Sequence, residues 1–216
     1  MSRENRKVNT MQDLQIIMQG MFSRINKEFF DNELERVIIT FEAGFKKGAY
    51  GWIHTVKDWK QGQTERYNIN ISSDYLNRSR EAVIATLIHE MCHLYALQKG
   101  IQDTSRSGIY HNKKFKKIAE EHGLDVAEAD KIGWSITTLK PETVEWLEKN
   151  CNFTEITIHK KQPLVADKIA KPKQSTRKYI CPSCGLIVRA TKECSIACVE
   201  CSDIEHGVIQ KMEFQA

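Results

Sequence analysis

Two histidines and a glutamate stand in the sequence at a spacing suited to metal-assisted hydrolysis. His89, Glu90 and His93 form the pattern HExxH inside a run whose apolar residues recur at four-residue steps. This periodicity predicts a largely buried helix from about residue 81 to residue 99. Side chains four residues apart share one helix face, so both imidazoles can reach a single ion. Glu90 would lie beside that ion and suits a general base for a water molecule held there.

Zinc is the metal that this pattern favours. Zinc accepts neutral imidazole nitrogens at about 2.0–2.1 Å, and a catalytic site keeps one position open for water. The alternative is that the two histidines are satisfied core residues, since a five-residue pattern also arises by chance. Three titratable groups are costly to bury unpaired in an apolar helix, however, and this cost favours the metal site.

A catalytic zinc site needs a third protein ligand. The candidates are His111 and His122, which both follow a polar loop over residues 100–108. His111 stands at the start of a predicted helical run, where a ligand would be well oriented, and is preferred. His122 immediately precedes Gly123, and a cation near a helix C-terminus is the simpler explanation for it.

Four cysteines near the C-terminus predict a second metal site. They form two CxxC pairs separated by thirteen residues, Cys181 with Cys184 and Cys198 with Cys201. This spacing is close to that of four-cysteine zinc sites, and so short a segment needs a staple because its core is small. Cys194 could replace or pair with Cys198, but the CxxC geometry favours Cys198. A redox dithiol is the weaker alternative, because no βαβ pattern surrounds the cysteines. We therefore predict a structural zinc ribbon with no open coordination position.

The residues before 158 predict the elements that hold the metal helix. A helix capped by Thr10 is expected to end near Phe29. Strands are expected over residues 37–41, 49–56 and 67–72, the last with one buried and one solvent-facing side. We expect these strands to form a small antiparallel sheet that covers the metal helix, with an edge that could pair with an extended peptide.

Other side chains and elements in this part of the chain are assigned more ordinary roles. Trp52 and His54 would share one side of the second strand. Core packing explains Trp52 and a surface position explains His54, with a functional role for either as the alternative. After the metal helix we expect short helices over residues 125–131 and 141–150 and a closing strand over 153–158.

Length and composition bound the class of protein. The chain has 216 residues, a formal net charge of +4 and seven cysteines. Its length suits one main domain and a small second one. The odd number of cysteines and the two CxxC pairs favour reduced thiols and metal over disulfides. An apolar run of 18 residues and a signal-peptide pattern are both missing, so we expect a cytoplasmic protein, or one of the nucleoid or nucleus, with no membrane partner. A monomer is the expected state, although no sequence feature decides it.

Basic residues concentrate in two segments. Residues 159–178 contain seven Lys or Arg, a single Asp and two prolines, which predicts a flexible basic linker attracted to polyanions. A second cluster follows His111, where a solvated helix face is the default explanation. A nucleic acid is the candidate polyanion, and its candidate contacts are Lys113, Lys114, Lys116, Lys117, Lys171, Lys173, Arg177 and Lys178.

With these motifs placed, the sequence resembles the SprT-like family, which includes the Spartan proteases. The resemblance extends from about Met11 to the C-terminus and rests on the HExxH helix, on His111 before Asn-Lys-Lys-Phe, on the strand with Gly51 and Trp52, and on the terminal segment Tyr-Ile-Cys-Pro-Ser-Cys-Gly. Family members usually have glycine where Asn112 follows His111. They are zinc-dependent proteases with a histidine as third ligand, and those best understood cut proteins bound or crosslinked to DNA, often with a zinc-binding module that helps to engage DNA.

The resemblance implies roles for individual residues. It makes His89, His93 and His111 the ligands of a catalytic Zn²⁺ and Glu90 the base, with a second, structural Zn²⁺ in the ribbon. The expected architecture is α+β: a zincin-like metalloprotease domain over residues 1–158, the basic linker over 159–178 and the ribbon over 179–216. The leading hypothesis is a zinc metalloendopeptidase acting on a protein or peptide substrate, with DNA-bound or DNA-crosslinked proteins as the candidate class. The alternative is a nucleic-acid-binding ribbon protein whose zincin domain is regulatory or inactive.

Overall fold

The computed structural model describes residues 6–44, 48–151, 153–160 and 176–215. The chain divides into two compact units, Met1–Gln162 and Pro163–Ala216. Most of the predicted linker lies outside the described residues, and so do the candidate DNA contacts Lys171 and Lys173. None of the helices in the described ranges is long and apolar enough to span a lipid bilayer.

The first unit is an α+β domain, as the sequence predicts. Its α-helices in the described ranges are α1 (Met11–Phe29), α2 (Arg80–Gln98), α3 (Lys113–Glu121) and α4 (Pro141–Asn150). Its strands there are β1 (Arg6–Val8), β2 (Ile38–Thr40), β3 (Gly51–Ile53), β4 (Trp59–Gln61), β5 (Thr64–Arg66), β6 (Asn68–Ile71), β7 (Thr104–Ser105), β8 (Tyr110–His111), β9 (Leu124–Ala129), β10 (Gly133–Leu139) and β11 (Phe153–Ile156).

The predicted metal helix is the central element of this unit. Both of its apolar rows are fully buried, including Val83 and Leu87 on one and Ile84 and Ile88 on the other. A helix that is apolar on all sides belongs in the middle of a core. It packs against α3 and against strands β3, β6 and β10. The helix that carries the two histidines and the glutamate is therefore fixed by packing on several sides.

The sheet beside α2 is mixed, so the predicted all-antiparallel arrangement is wrong. Strand β6 lies between β2, which runs parallel to it, and β3, which runs antiparallel. The sequence pattern does not predict this order. Strand β6 comes after both β2 and β3 in the chain but lies between them in the sheet. The solvent-facing side predicted for β6 is also wrong. Asn68 and Asn70 are buried, and the Asn70 side-chain oxygen accepts hydrogen bonds from Thr40 Oγ1 at 2.9 Å and from the Glu42 backbone nitrogen at 2.6 Å.

A second sheet, in the order β7-β8-β10-β9, replaces the helix predicted over residues 125–131. Strands β9 and β10 form an antiparallel hairpin, and β8 joins β10 in parallel through the pair His111 and Gly133. At the start of β9, Leu124 is buried and Val126 half-buried with the exposed Asp125 between them, a spacing that suits a strand. These residues form a strand rather than a helix because they pair with β10, a strand that the sequence pattern does not predict.

The other predicted elements of the first unit are confirmed. The Thr10 side chain caps α1 by accepting a hydrogen bond from the backbone N–H of Asp13 at 3.1 Å. Pro141 opens α4, as its fixed φ favours. The closing strand β11 pairs in parallel with β1.

The second unit is a small antiparallel sheet beside a cysteine cluster. Strands β12 (Arg177–Ile180), β13 (Ile187–Ala190) and β14 (Glu213–Gln215) lie in the order β13-β12-β14. Strand β12 begins at Arg177, so Arg177 and Lys178 belong to this sheet rather than to the predicted linker. Such a sheet with a four-cysteine cluster fits a zinc ribbon.

Candidate metal centres

Three imidazoles of the first unit converge on one point. Helix α2 supplies His89 and His93 from adjacent turns, and β8 supplies His111. The Nε2 atoms of the three rings are 3.1–3.2 Å from one another. Tetrahedral bonds of about 2.0–2.1 Å would place such nitrogens about 3.3 Å apart. The described side chains therefore fit three ligands of one zinc ion.

His122, the other candidate for the third ligand, lies elsewhere in the core. Its ring stacks on Phe30, with 4.2 Å between ring centroids, and packs against Tyr95. Its Nδ1 donates a hydrogen bond to the carbonyl oxygen of Ile118 at 2.6 Å. These contacts give His122 a packing role at the end of α3.

Each of the three converging rings has a polar partner on its other nitrogen. His93 Nδ1 donates to Asp103 Oδ2 at 2.6 Å, His89 Nδ1 contacts Thr137 Oγ1 at 3.1 Å, and His111 Nδ1 contacts the carbonyl oxygen of Ile132 at 3.3 Å. Partners of this kind fix the tautomer and the ring orientation, which leaves Nε2 free to bind a metal ion.

Phe115 forms the inner wall of the cluster. Its ring, fully buried on α3, lies 4.6–4.7 Å from each of the three imidazole centroids. The sequence places Phe115 on the apolar face of α3 but does not reveal this contact. The rings are therefore supported from the side opposite to the solvent.

Asp103 is a buried polar residue of the site that the sequence pattern does not reveal. It lies in the loop after α2 and is buried. Asn112, the N-cap of α3, holds this loop: its backbone nitrogen donates to the Asp103 carbonyl at 3.0 Å and its side chain donates to the Gln102 carbonyl at 2.9 Å. A lone aspartate in a polar loop has no characteristic spacing. Only the fold brings it to His93.

Burial sets the protonation of the histidines. It lowers the pKa of His89 well below the usual value, and the neighbouring His93 and His111 lower it further. It also lowers the pKa of His111 to about 4, with a further contribution from His93. Burial opposes the charged form of His93 as well, but the hydrogen bond to Asp103 and the charge of Glu90 leave its pKa raised. His89 and His111 are thus neutral near pH 7, as metal ligands must be.

Glu90 lies next to the edge of the first sheet. Burial is the main reason that the pKa of Glu90 is raised to about 7. A Cβ atom added at Gly51 would lie 3.0 Å from Glu90 Oε1 and 2.9 Å from the carbonyl oxygen of Asn70. Strand β3 can therefore approach the carboxylate only because residue 51 has no side chain. A carboxyl group with a pKa near neutrality is suited to exchanging protons.

The three histidines and Glu90 open into a cleft of about 1400 Å³. Strand β3 lines one wall, α2 the floor, and the β7–β8 turn with β10 the other wall. Trp52 and His54 lie on the β3 wall, where Trp52 Nε1 donates to His54 Nε2 at 3.2 Å and His54 Nδ1 bonds to Asp58. Their nitrogens are engaged with one another and with Asp58, outside the histidine cluster.

The sequence profile of the SprT-like family matches residues 18–131, which is more than half of the chain. The chain belongs to the SprT-like family. No curated protein and no solved structure matches it. The matched residues include Gly51, Glu90 and all three histidines of the cluster, whereas the second unit lies outside the match. The first unit is accordingly a metallopeptidase-like SprT-like domain.

Gly133 holds the third histidine of the SprT-like domain in place, a role that its position in the sequence does not reveal. Its φ is +71°, and an added Cβ would lie 2.2 Å from the carbonyl oxygen of His111 and 2.9 Å from the Tyr110 ring. Backbone atoms cannot yield to such a contact cheaply, so any side chain at this position must displace β8 or β10 and with it the His111 ring.

We expect Gly133→Ala to weaken zinc binding at the histidine cluster by about 10–100-fold, the range found when the supports of metal ligands are removed. Competition with a chromogenic chelator measures this affinity. Gly62→Ala is the matched control, because Gly62 also has a positive φ, +62°, but no atom within 4 Å of an added Cβ. Gly62→Ala should introduce backbone strain without a steric clash, so the zinc affinity of the histidine cluster should be unchanged. Equal affinities in both variants would contradict the proposed support.

The four cysteines of the ribbon form the second centre. The sulfur atoms of Cys181, Cys184, Cys198 and Cys201 all lie within 4.8 Å of one another. Those of Cys184 and Cys198 are 3.7 Å apart, which is far longer than a disulfide bond and close to the separation of about 3.75 Å expected for two thiolates on one zinc ion. Cys194 is not part of this cluster.

The ribbon backbone favours a thiolate at Cys181. A backbone hydrogen bond from Cys184 is the main cause that lowers the pKa of Cys181 to about 7, and Ser183 contributes a second one. Hydrogen bonding to the neighbouring Cys184 raises the pKa of Cys201 to about 12. Four thiols this close compete for protons, and a divalent cation would relieve the competition by binding them as thiolates.

The candidate DNA contacts within the described ranges lie on both units. On α3, Lys113, Lys114 and Lys117 are exposed, whereas Lys116 lies over the Trp134 ring at 4.0 Å and pairs with Glu120 at 3.6 Å. On the ribbon, Arg177 and Lys178 are half-buried, and Lys178 Nζ donates to Gln215 Oε1 at 3.1 Å. Lys113, Lys114 and Lys117 are therefore the more accessible of these charges.

Proposed function

We propose that this SprT-like protein is a zinc-dependent metalloendopeptidase. The observation that carries the proposal is the convergence of three histidine nitrogens, 3.1–3.2 Å apart, in an open cleft that also holds the Glu90 carboxyl group. Three histidines with one remaining coordination position are the donor set of a catalytic rather than a structural zinc site.

The residues of the cleft have distinct roles in this reaction. A bound zinc ion would supply an activated water molecule and polarise the carbonyl group of the scissile peptide bond. Glu90 accepts a proton from the attacking water and delivers it to the leaving amine nitrogen, which breaks the C–N bond. Asp103 and Thr137 hold the rings of His93 and His89 in the orientation that this chemistry needs.

An extended peptide can bind along β3, the edge strand of the mixed sheet. Among the described strands β3 pairs with β6 alone, so its other edge can pair with a substrate backbone, as peptide-binding sheets commonly do. Gly51 on this strand lies against Glu90, so a paired substrate would present one of its carbonyl groups next to the catalytic base. A substrate paired along an edge strand can extend beyond the strand in both directions, which favours cleavage within a chain over cleavage at its end.

Cleavage of unfolded casein by the purified full-length protein tests the proposal. We expect cleavage that stops when a chelator removes zinc and returns when zinc is restored. Activity that persists in the chelated protein would contradict zinc catalysis. A zinc-loaded, folded protein that cleaves neither casein nor peptides would favour a SprT-like domain without peptidase function.

We also propose DNA as a second partner that brings protein substrates to the cleft. Helix α3 begins directly after His111, and its Lys113 and Lys114 are exposed to solvent. Phosphate contacts make binding weaken with salt, and removing one such contact lowers the salt slope by about 1. Comparing Lys113→Ala/Lys114→Ala with Lys171→Ala/Lys173→Ala shows which segment binds. Unchanged affinity and slope in both would contradict DNA binding through these lysines.

A further inference from the structure

Large apolar side chains are exposed along both walls of the cleft. Tyr50, Val56, Ile109, Ile132 and Ile136 are each 42–65% exposed, and all five line it. Exposed apolar residues scattered singly need no explanation, whereas a group of them in one concave site indicates a binding surface for an apolar ligand.

Ile132 and Ile136 belong to the segment at β10 that also contacts the histidine cluster. The Ile132 carbonyl accepts a hydrogen bond from the His111 backbone nitrogen at 3.0 Å, so residue 132 adjoins the proposed third ligand. Ile136 precedes Thr137, whose hydroxyl contacts His89. A substrate side chain that reaches this wall would belong to a residue close to the cleaved bond.

The opposite wall presents apolar groups at both ends of β3. Val56 follows the strand and Tyr50 precedes it. The Tyr50 ring is held by the Arg78 guanidinium, 4.2 Å from its centroid, and by the Tyr75 ring at 5.0 Å in an edge-on contact. It remains 49% exposed and lines the cleft. A fixed aromatic ring binds an apolar side chain without first having to be ordered.

Apart from Glu90, the proposed base, the Asp, Glu and Arg side chains that line the cleft are engaged with neighbouring groups of the protein. Arg78 donates hydrogen bonds to the carbonyl oxygens of Tyr75 and Ala82 and to Thr86 Oγ1. Glu81 pairs with Arg80 at 2.8 Å, and Asp103 accepts from His93. The described residues that line the cleft therefore offer little unpaired charge with which to select acidic or basic side chains of a substrate.

We propose that the cleft selects extended peptide segments that carry large apolar side chains on both sides of the cleaved bond. The inference rests on the proposed peptidase function and specifies its substrate class. Folded proteins bury most such side chains, and their segments are rarely free to pair with an edge strand. The substrates are therefore unfolded or locally opened proteins, and a well-folded protein is protected by its own core.

Two sets of matched peptides test this selectivity. They have identical flanks and carry either Leu or Ser at the positions around the cleaved bond. We expect the full-length zinc-loaded protein to cleave the Leu peptides with a kcat/KM at least about tenfold higher, the lower end of what apolar subsites achieve. Ile132→Ser/Ile136→Ser should reduce this ratio of kcat/KM values, Leu over Ser peptides, severalfold. Ile16→Ser, a change at a 64% exposed site on α1 outside the cleft, should leave it unchanged.

Binding separates this inference from the proposed function. Fluorescence anisotropy with the Glu90→Gln variant measures the affinity for each peptide without cleavage. Tighter binding of the Leu peptides supports the apolar subsites even if the native protein cleaves nothing, in which case only the peptidase proposal fails. Equal affinities together with equal kcat/KM values, or a preference for Ser peptides, would overturn the inference.

Discussion

Glu90→Gln is expected to lower kcat for peptide cleavage by about 10²–10⁴-fold while the protein keeps its zinc, because an amide cannot accept the proton that the attacking water must lose. Glutamine has the same shape as glutamate, so the close packing against Gly51 is retained and the histidine cluster is undisturbed. Initial rates on a fluorogenic peptide, with zinc content measured on the same sample, give the result.

Glu81→Gln is the matched control for this change. Glu81 is also a carboxylate on α2 that lines the cleft, but its partner is Arg80 and it lies at the first turn of the helix. We expect the kcat of Glu81→Gln to stay within about twofold of the native value, because an ion pair near the surface contributes little free energy. A Glu90→Gln protein that cleaves peptides at the native rate would rule out Glu90 as the base.

The second large effect concerns zinc stoichiometry. Each chain should bind two zinc ions, and His111→Ala and Cys181→Ser should each remove one of them. The consequences differ, because the histidine cluster sits in a large buried core whereas the ribbon core consists of a few residues around its cysteines. Structural zinc contributes about 10–16 kcal/mol of binding free energy to small domains, so Cys181→Ser should unfold the second unit.

Native mass spectrometry counts the bound ions, and near-ultraviolet circular dichroism reports on tertiary structure. His159→Ala and Cys194→Ser are the controls, since His159 is exposed and neither residue belongs to a metal cluster. Both variants should retain two zinc ions. Loss of both ions from either His111→Ala or Cys181→Ser would show that the two centres are not independent, and a native chain with a single ion would contradict one of them.

The two clusters of candidate metal ligands could be predicted from the sequence because their signals are local. Helical spacing brings His89 and His93 to one face, and CxxC turns bring cysteines together, whatever the rest of the chain does. The place of His111 at a helix start favours it as the third ligand, and the structure puts its Nε2 atom beside the other two.

The supports of the site could not be predicted in this way. Asp103, Thr137 and Gly133 act through contacts between segments that are distant in sequence, and none has a characteristic spacing. The same limit explains the errors in the fold. Residues 124–129 form a strand because β10 pairs with them, and Asn70 is buried because Thr40 and Glu42 provide its hydrogen bonds. Tertiary partners override local preference at each of these positions.

The Phe115 ring behind the three imidazoles has a consequence for metal exchange. Packing against Phe115 and hydrogen bonds from outside the cluster hold the three rings in place, so a different divalent cation could enter the site without refolding the domain. Cobalt, whose tetrahedral complexes absorb visible light, could then report on substrate binding through its colour. In the ribbon, by contrast, exchanging the ion means dismantling and rebuilding the module itself.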